Sequence, residues 1–286
     1  MLSGMARTIS IPAADAHQDR LLARAEASAD AAERAVRAVW LDLLRVIKAG
    51  GPWPLVQAAA RHALRQLPAI GHVVVADLVR AHRDAATWTA AKLADTLPQR
   101  HRLTLLRRRG LIEDVASVTD LLANLLLPAL DEQTVLRTVY RAGWSGAFGR
   151  LTALAAPDAL AARIAAAVGA GRSVQQIARD IRPLVQEVQA SARRVARTAG
   201  LWVAHEAERD VYRGLEGDLI AGYTVRAVLD RATRKEHRER DGHQFFCRPT
   251  AGQRGMDQCP HPPREANGSW AFNCRCYLTP ILATDL

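Results

Sequence analysis

Between His17 and Lys48 apolar residues return every three or four positions. Leu21, Leu22, Ala25, Ala29, Ala32, Val36, Val39, Trp40, Leu43, Leu44 and Ile47 fall on one side of a single long helix, opposite a face of Arg, Asp and Glu. Gly50-Gly51-Pro52 ends that helix. The same punctuation continues with helices over about 54–66, stopped before Pro68, and about 72–96, stopped by Pro98. Arg100 to Arg109 is the most basic stretch, with Arg100, Arg102, Arg107, Arg108 and Arg109 interleaved with leucines. It reads either as a phosphate-gripping run or as an amphipathic helix with solvated arginines. Leu111 to Leu127 reads as a buried helix, and Asp131 as the N-cap of a helix towards Ala155. Pro157-Asp158 opens another, ending near Gly169. Ser173-Val174-Gln175-Gln176 is a capping box that starts the next. Pro183 is expected to divide that helix from one running to about Gly214 or Gly217.

Only 5% of the 286 residues are aromatic although 49% are hydrophobic, so Ala, Leu and Val carry the core, which suits helices packed at close range. The formal charge of +10 points to an acidic partner, nucleic acid being the commonest, or to a solvated basic surface. Met1 to His17 lacks the layout of a secretory leader, and no apolar run is long enough to cross a bilayer. A reducing cytosol is therefore expected for the four cysteines, where metal binding or free thiols outweigh disulfides.

After Gly217 the pattern changes. Tyr223, Val225, Ala227 and Leu229 alternate as in a strand over 221–230, Gln244-Phe245-Phe246 is a second short strand, and Cys274 to Leu278 a third. Pro249 to Trp270 is a Gly/Pro-rich loop. On a strand, Cys274 and Cys276 face the same side and can share one metal. Cys247, Cys259, His237, His243 and His261 lie within about forty residues of them, a ligand-rich set for a module with little core. No Cys-x2-Cys pair is present, so one structural zinc, hydrogen-bonded free thiols and a disulfide all stand open. Asp230 and Thr233 are expected to cap a helical turn carrying Arg234 to Arg240, from which His237 projects. The competing reading makes Asp230 and His237 an acid/base pair of a hydrolase, although no nucleophile or carboxylate cluster completes such a site.

The ordered set Asp230, Thr233, Arg234, His237, Asp241-Gly242, Pro262-Pro263, Asn267-Gly268, Trp270 and Asn273-Cys274-Arg275-Cys276 resembles the C-terminal domain of phage head morphogenesis proteins, the Mu F-like minor capsid protein family. Ser173 to Ile177, Arg197-Thr198 and Gly222-Tyr223 extend the likeness, which covers roughly 160–281. Ala232 departs from it, since the family usually carries Arg before Thr. Cys247 and Cys259 lie in the variable loop and inherit no role. Some relatives carry Cys at the place of His237, which favours His237 facing Cys274 and Cys276 in a shared metal or hydrogen-bond cluster.

The expected fold is mainly α, an elongated multi-helix N-terminal body with a small C-terminal α+β module of short strands and a long Gly/Pro-rich loop. Its parts are a flexible arm (1–16), a helical body (17–156) and a Mu F-like domain (157–286) with helices over 157–216 and a Cys/His-rich module over 217–286. The resemblance implies a non-enzymatic minor head protein in the virion, at the portal vertex or capsid interior, assembled in the host cytoplasm. Portal, capsid or scaffold proteins and double-stranded DNA are its implied partners, and no membrane is expected. A zinc-stabilised nucleic-acid-binding protein is the alternative reading, and a metal-dependent nuclease using Asp230, His237, His243 and Asn273 a weaker third.

Overall fold

The structure is a computed structural model that describes residues 14–49, 53–66, 70–97, 102, 133, 137, 157–263 and 271–283. Among these the elements run α1 (Ala14–Ala49), α2 (Trp53–Leu64), α3 (Ile70–Thr96), α4 (Pro157–Gly169), α5 (Val174–Arg213), β1 (Ile220–Arg226), α6 (Lys235–Arg240), β2 (Gln244–Phe246), a 3-10 turn (Met256–Gln258) and β3 (Tyr277–Leu282). The fold is mainly helical with one small sheet. No helix among the described residues is long and apolar enough to cross a membrane. The helix expected over 111–127 lies outside the described residues, as do the one expected over 131–155 except Gln133 and Arg137, which are helical, and the basic run except Arg102. The Arg102 guanidinium donates to the carbonyls of Leu97 and Asp95 at 2.6 and 2.7 Å, bracing the end of α3.

The chain divides into two compact units. One takes in Ala25–Val79 and Leu136–Gly200, the other Met1–Arg24, Arg80–Val135 and Leu201–Leu286. In the first, the α1 stripe is buried from Ala25 through Ile47, except Leu44, which is half-buried. It shares that unit with buried Val74, Leu78, Ile164, Ile177, Val188 and Val195, and α2 packs on α4. Small side chains let the helix backbones close in: a Cβ added at Gly200 would stand 3.0 Å from the Ala25 Cα. Above this contact Arg193 reaches Glu26, Asp30 and Glu33 at 2.7, 2.5 and 2.9 Å, and Arg197 reaches Glu26 at 2.9 Å. The Arg193 side chain is 41% exposed, so solvent screens the network. Arg193→Ala should therefore cost only about 1 kcal/mol at low salt, with most of that gone near ~1 M salt. Urea unfolding at the two salt concentrations checks this.

The α5 capping box forms as expected. Ser173 N–H donates to Gln176 Oε1 at 2.8 Å, and Gln176 N–H donates to Ser173 Oγ at 3.2 Å. Pro183 does not divide α5, which runs unbroken to Arg213. The proline sits on an exposed face, where water can serve the carbonyl that loses its donor.

The second unit holds the sheet, ordered β2-β1-β3 with both pairings antiparallel. Its register sets Tyr223 opposite Phe245 and Pro280, and Thr224 opposite Gln244 and Thr279. Tyr223, Val225, Ile220 and Ile281 are buried, and the Tyr223 ring stands 6.0 Å from that of Tyr212 on α5. Two strand expectations need correction. β1 stops at Arg226, leaving Leu229 63% exposed, and β3 starts at Tyr277, so Cys274 and Cys276 precede it. Two residues past the end of β1, the Val228 carbonyl accepts from the Asp230 amide at 3.0 Å and from the Thr233 hydroxyl, bonds of the following turn rather than of the ladder.

Candidate metal centre

The turn between β1 and α6 is built by the side chains that the sequence singles out. Asp230 Oδ1 accepts the Ala232 amide at 2.9 Å, and the Thr233 Oγ1 accepts the Asp230 amide at 3.2 Å. This is a self-closed Asx-type turn rather than a helix cap. The N-cap of α6 is Arg234, which has no side-chain cap bond, so the expected capping by Asp230 and Thr233 is corrected. Arg238 clamps the turn from α6, donating to the Thr233 carbonyl at 3.1 Å and the Asp230 carbonyl at 2.5 Å. Asp241 leads out of α6 and accepts the Ala227 amide at 2.8 Å. Gly242, at φ +79, then turns the chain so that its amide reaches the Val225 carbonyl at 2.9 Å and β2 can begin.

The second arm of the site is the Asn273-Cys274-Arg275-Cys276 loop. Asn273 takes φ 60, a left-handed conformation that asparagine tolerates. Arg234 donates to the neighbouring Phe272 carbonyl at 2.9 Å, tying the loop to α6. Arg275 forks onto both oxygens of Asp230, and this pairing holds the Asp230 carboxyl far below the usual carboxylate range. From α1, buried Gln18 donates to the Arg275 carbonyl at 2.8 Å. The residue between the two cysteines is thus gripped at side chain and backbone.

These two arms bring His237, Cys274 and Cys276 together, each buried. His237 Nδ1 lies 3.2 Å from Cys276 Sγ and 3.5 Å from Cys274 Sγ, and the three donor atoms all lie within 4.8 Å of one another. The Cys276 amide points at Cys274 Sγ from 3.4 Å. Hydrogen bonding from Cys276 pulls the Cys274 thiol well below its ordinary value, and His237 adds to this against the opposing cost of burial. A soft imidazole-dithiolate set of this kind suits zinc-class ions, and the cluster can hold a metal ion.

Cys247 and Cys259 stand outside it. Cys259 is buried against Val225 and Phe245, its thiol donates to the Pro260 carbonyl at 3.5 Å, and burial pushes it up to about 12. Cys247 follows β2, where burial also raises its thiol. Both are therefore neutral thiols, and all four cysteines are free. The acid/base pairing of Asp230 with His237 is not formed: Asp230 is engaged by Arg275 and His237 faces sulfur.

Sequence reasoning missed a neighbouring polar pocket of about 20 Å³ between α5 and the sheet, lined by His205, Glu206, Glu208, Arg209, Tyr212 and His261 among others. There Glu208 meets His205 Nδ1 at 3.1 Å. Burial, and after it the Arg209 charge, lowers His261 to about 4. An unfolded histidine takes up its proton near 6.5, so the unfolded chain binds more protons between about pH 6.5 and 4. Stability should consequently fall as pH drops through that window, by on the order of 2 kcal/mol from His261 alone. Urea titrations at both pH values should show this component missing in His261→Gln. The only early signal was His261 beside Pro262-Pro263, which does not by itself reveal a helix facing it.

Residues 158–279 match the family described as Phage Mu protein F like protein, a region that takes in nearly all of α4, α5, β1, β2, the start of β3 and the whole His/Cys cluster. No curated protein and no solved structure gives a significant match.

Proposed function

We propose that this chain is a minor capsid protein of a tailed phage or prophage that acts in head morphogenesis, without catalysis, at the portal vertex. The observation that carries the reading is the match over residues 158–279, within which the described side chains that carry the resemblance serve one architecture. Asp230, Thr233, Arg234, Asp241, Gly242, Asn273 and Arg275 shape and join two backbone arms, and those arms set His237 against Cys274 and Cys276. Their bonds are to one another and to the backbone, which suits a structural role rather than a reaction. In this reading one zinc ion on the cluster holds the module together. Portal, capsid or scaffold proteins are the partners, with the virion as the destination and the host cytoplasm as the place of assembly.

The charge of +10 supports contact with packaged double-stranded DNA as well. Retention on DNA should then weaken steeply between low and physiological salt. The decisive experiment is sedimentation of procapsids and mature heads from cells making the tagged chain. A few copies per particle are expected, and absence from particles and every assembly intermediate would sink the reading.

A further inference from the structure

We propose that the polar pocket between α5 and the sheet binds one buried water molecule, which joins His205 and Arg209 of α5 to His261 of the loop after the 3-10 turn. The inference stands apart from the metal reading, since it uses none of the three cluster side chains.

The first support is a set of unmet polar atoms. His205 and Arg209 are four positions apart on α5 and share a face, and His261 lines the same pocket from the loop. His205 Nε2, Arg209 Nε and His261 Nδ1 are each buried and meet no hydrogen-bond partner among the described residues. The His205 side chain is only 10% exposed, so bulk solvent does not serve its inner nitrogen. Leaving such an atom dry forfeits its hydration without return, and folded chains rarely do so. The second support is room. About 20 Å³ suits a single water molecule. It leaves no space for an acyl or phosphoryl group, so the Glu208–His205 pair has no substrate to serve as a general base there.

The directions of the hydrogen bonds agree with water. Glu208 meets His205 at Nδ1, 3.1 Å away, so the ring proton sits there and Nε2 offers a lone pair. Arg209 Nε only donates. Burial keeps His261 neutral down to about pH 4, with one ring nitrogen donating and the other accepting. A water molecule gives a proton to His205, takes one from Arg209 and does either with His261. Charge rules against an ion. An anion would meet Glu206, 3.7 Å from Arg209, and Glu208 as well, whereas a cation would meet the Arg209 guanidinium.

Oxygen-17 relaxation dispersion on the full chain, which counts long-lived internal water molecules, provides the test. His205→Phe and His261→Phe should each show one molecule fewer than the native chain. An unchanged count in either folded variant overturns the three-way bridge. The native chain gives a second reading that needs no variant: cross-relaxation from a long-lived water to the ring C–H protons of His205. Its absence overturns the proposal, and so does a metal ion bound by the native chain and lost in His205→Phe, which would make the pocket a cation site.

Discussion

His237→Asn should leave the purified chain with no zinc, against one equivalent in the native protein, and destabilise the C-terminal module by about 3–5 kcal/mol. Asparagine keeps the size and polarity of the ring edge but is no zinc ligand of consequence, so the change removes the metal bond more than the packing. The loss falls below the roughly 10–16 kcal/mol that zinc supplies to finger peptides, because this module has apolar clusters of its own around Val225, Phe245 and Cys259 and around Ala271, Cys274 and Cys276. Metal content by elemental analysis and thermal unfolding with and without a chelator make the measurement. The chelator should lower the native melting temperature towards that of His237→Asn and leave the variant unmoved. Two chains that melt alike, both indifferent to chelator, would make the cluster a set of hydrogen-bonded thiols.

What the sequence made legible follows from how local each determinant is. The α1 stripe and the Ser173 capping box are written in residues a few positions apart, and both form as expected. The Pro183 break was misplaced because a proline's cost depends on whether water reaches the orphaned carbonyl, which is a property of the packed surface. The family likeness points to His237 facing Cys274 and Cys276, as the structure has it, whereas the strand expected to set the two thiols on one side starts only at Tyr277. Left-handed Asn273 and the Cys276 amide turned towards Cys274 Sγ bring the thiols together instead. Gln18 on the Arg275 carbonyl joins residues 257 positions apart, and no local pattern encodes that. The polar pocket around His205 and His261 stayed hidden for the same reason.

Gly222→Ala is the backbone counterpart of the metal prediction and should be as damaging, costing more than about 3 kcal/mol. Gly222 lies in β1, the central strand, beside both β2 and β3. A Cβ there would stand 2.1 Å from the Phe245 carbonyl oxygen, 2.9 Å from the Phe246 Cα and 3.0 Å from the Phe245 carbonyl carbon. All three are backbone atoms, so no side-chain rotation relieves the clash and β2 must move. Moving it breaks the Cys247 amide bond to the Ala221 carbonyl at 2.8 Å and withdraws Phe245 from Val225 and Cys259. Gly214 supplies the contrast. It lies just past α5, nothing stands within 4 Å of its added Cβ, and Gly214→Ala should be neutral or stabilising by about 0.5 kcal/mol. Hydrogen exchange at the Cys247 amide, with urea unfolding of both variants, separates the cases. Full protection of that amide in Gly222→Ala would mean that β1 and β2 do not approach as closely as described. The expected result explains why a glycine precedes Tyr223: it is the place where two strands touch through backbone alone, at the base of the turn that carries His237 to its sulfurs.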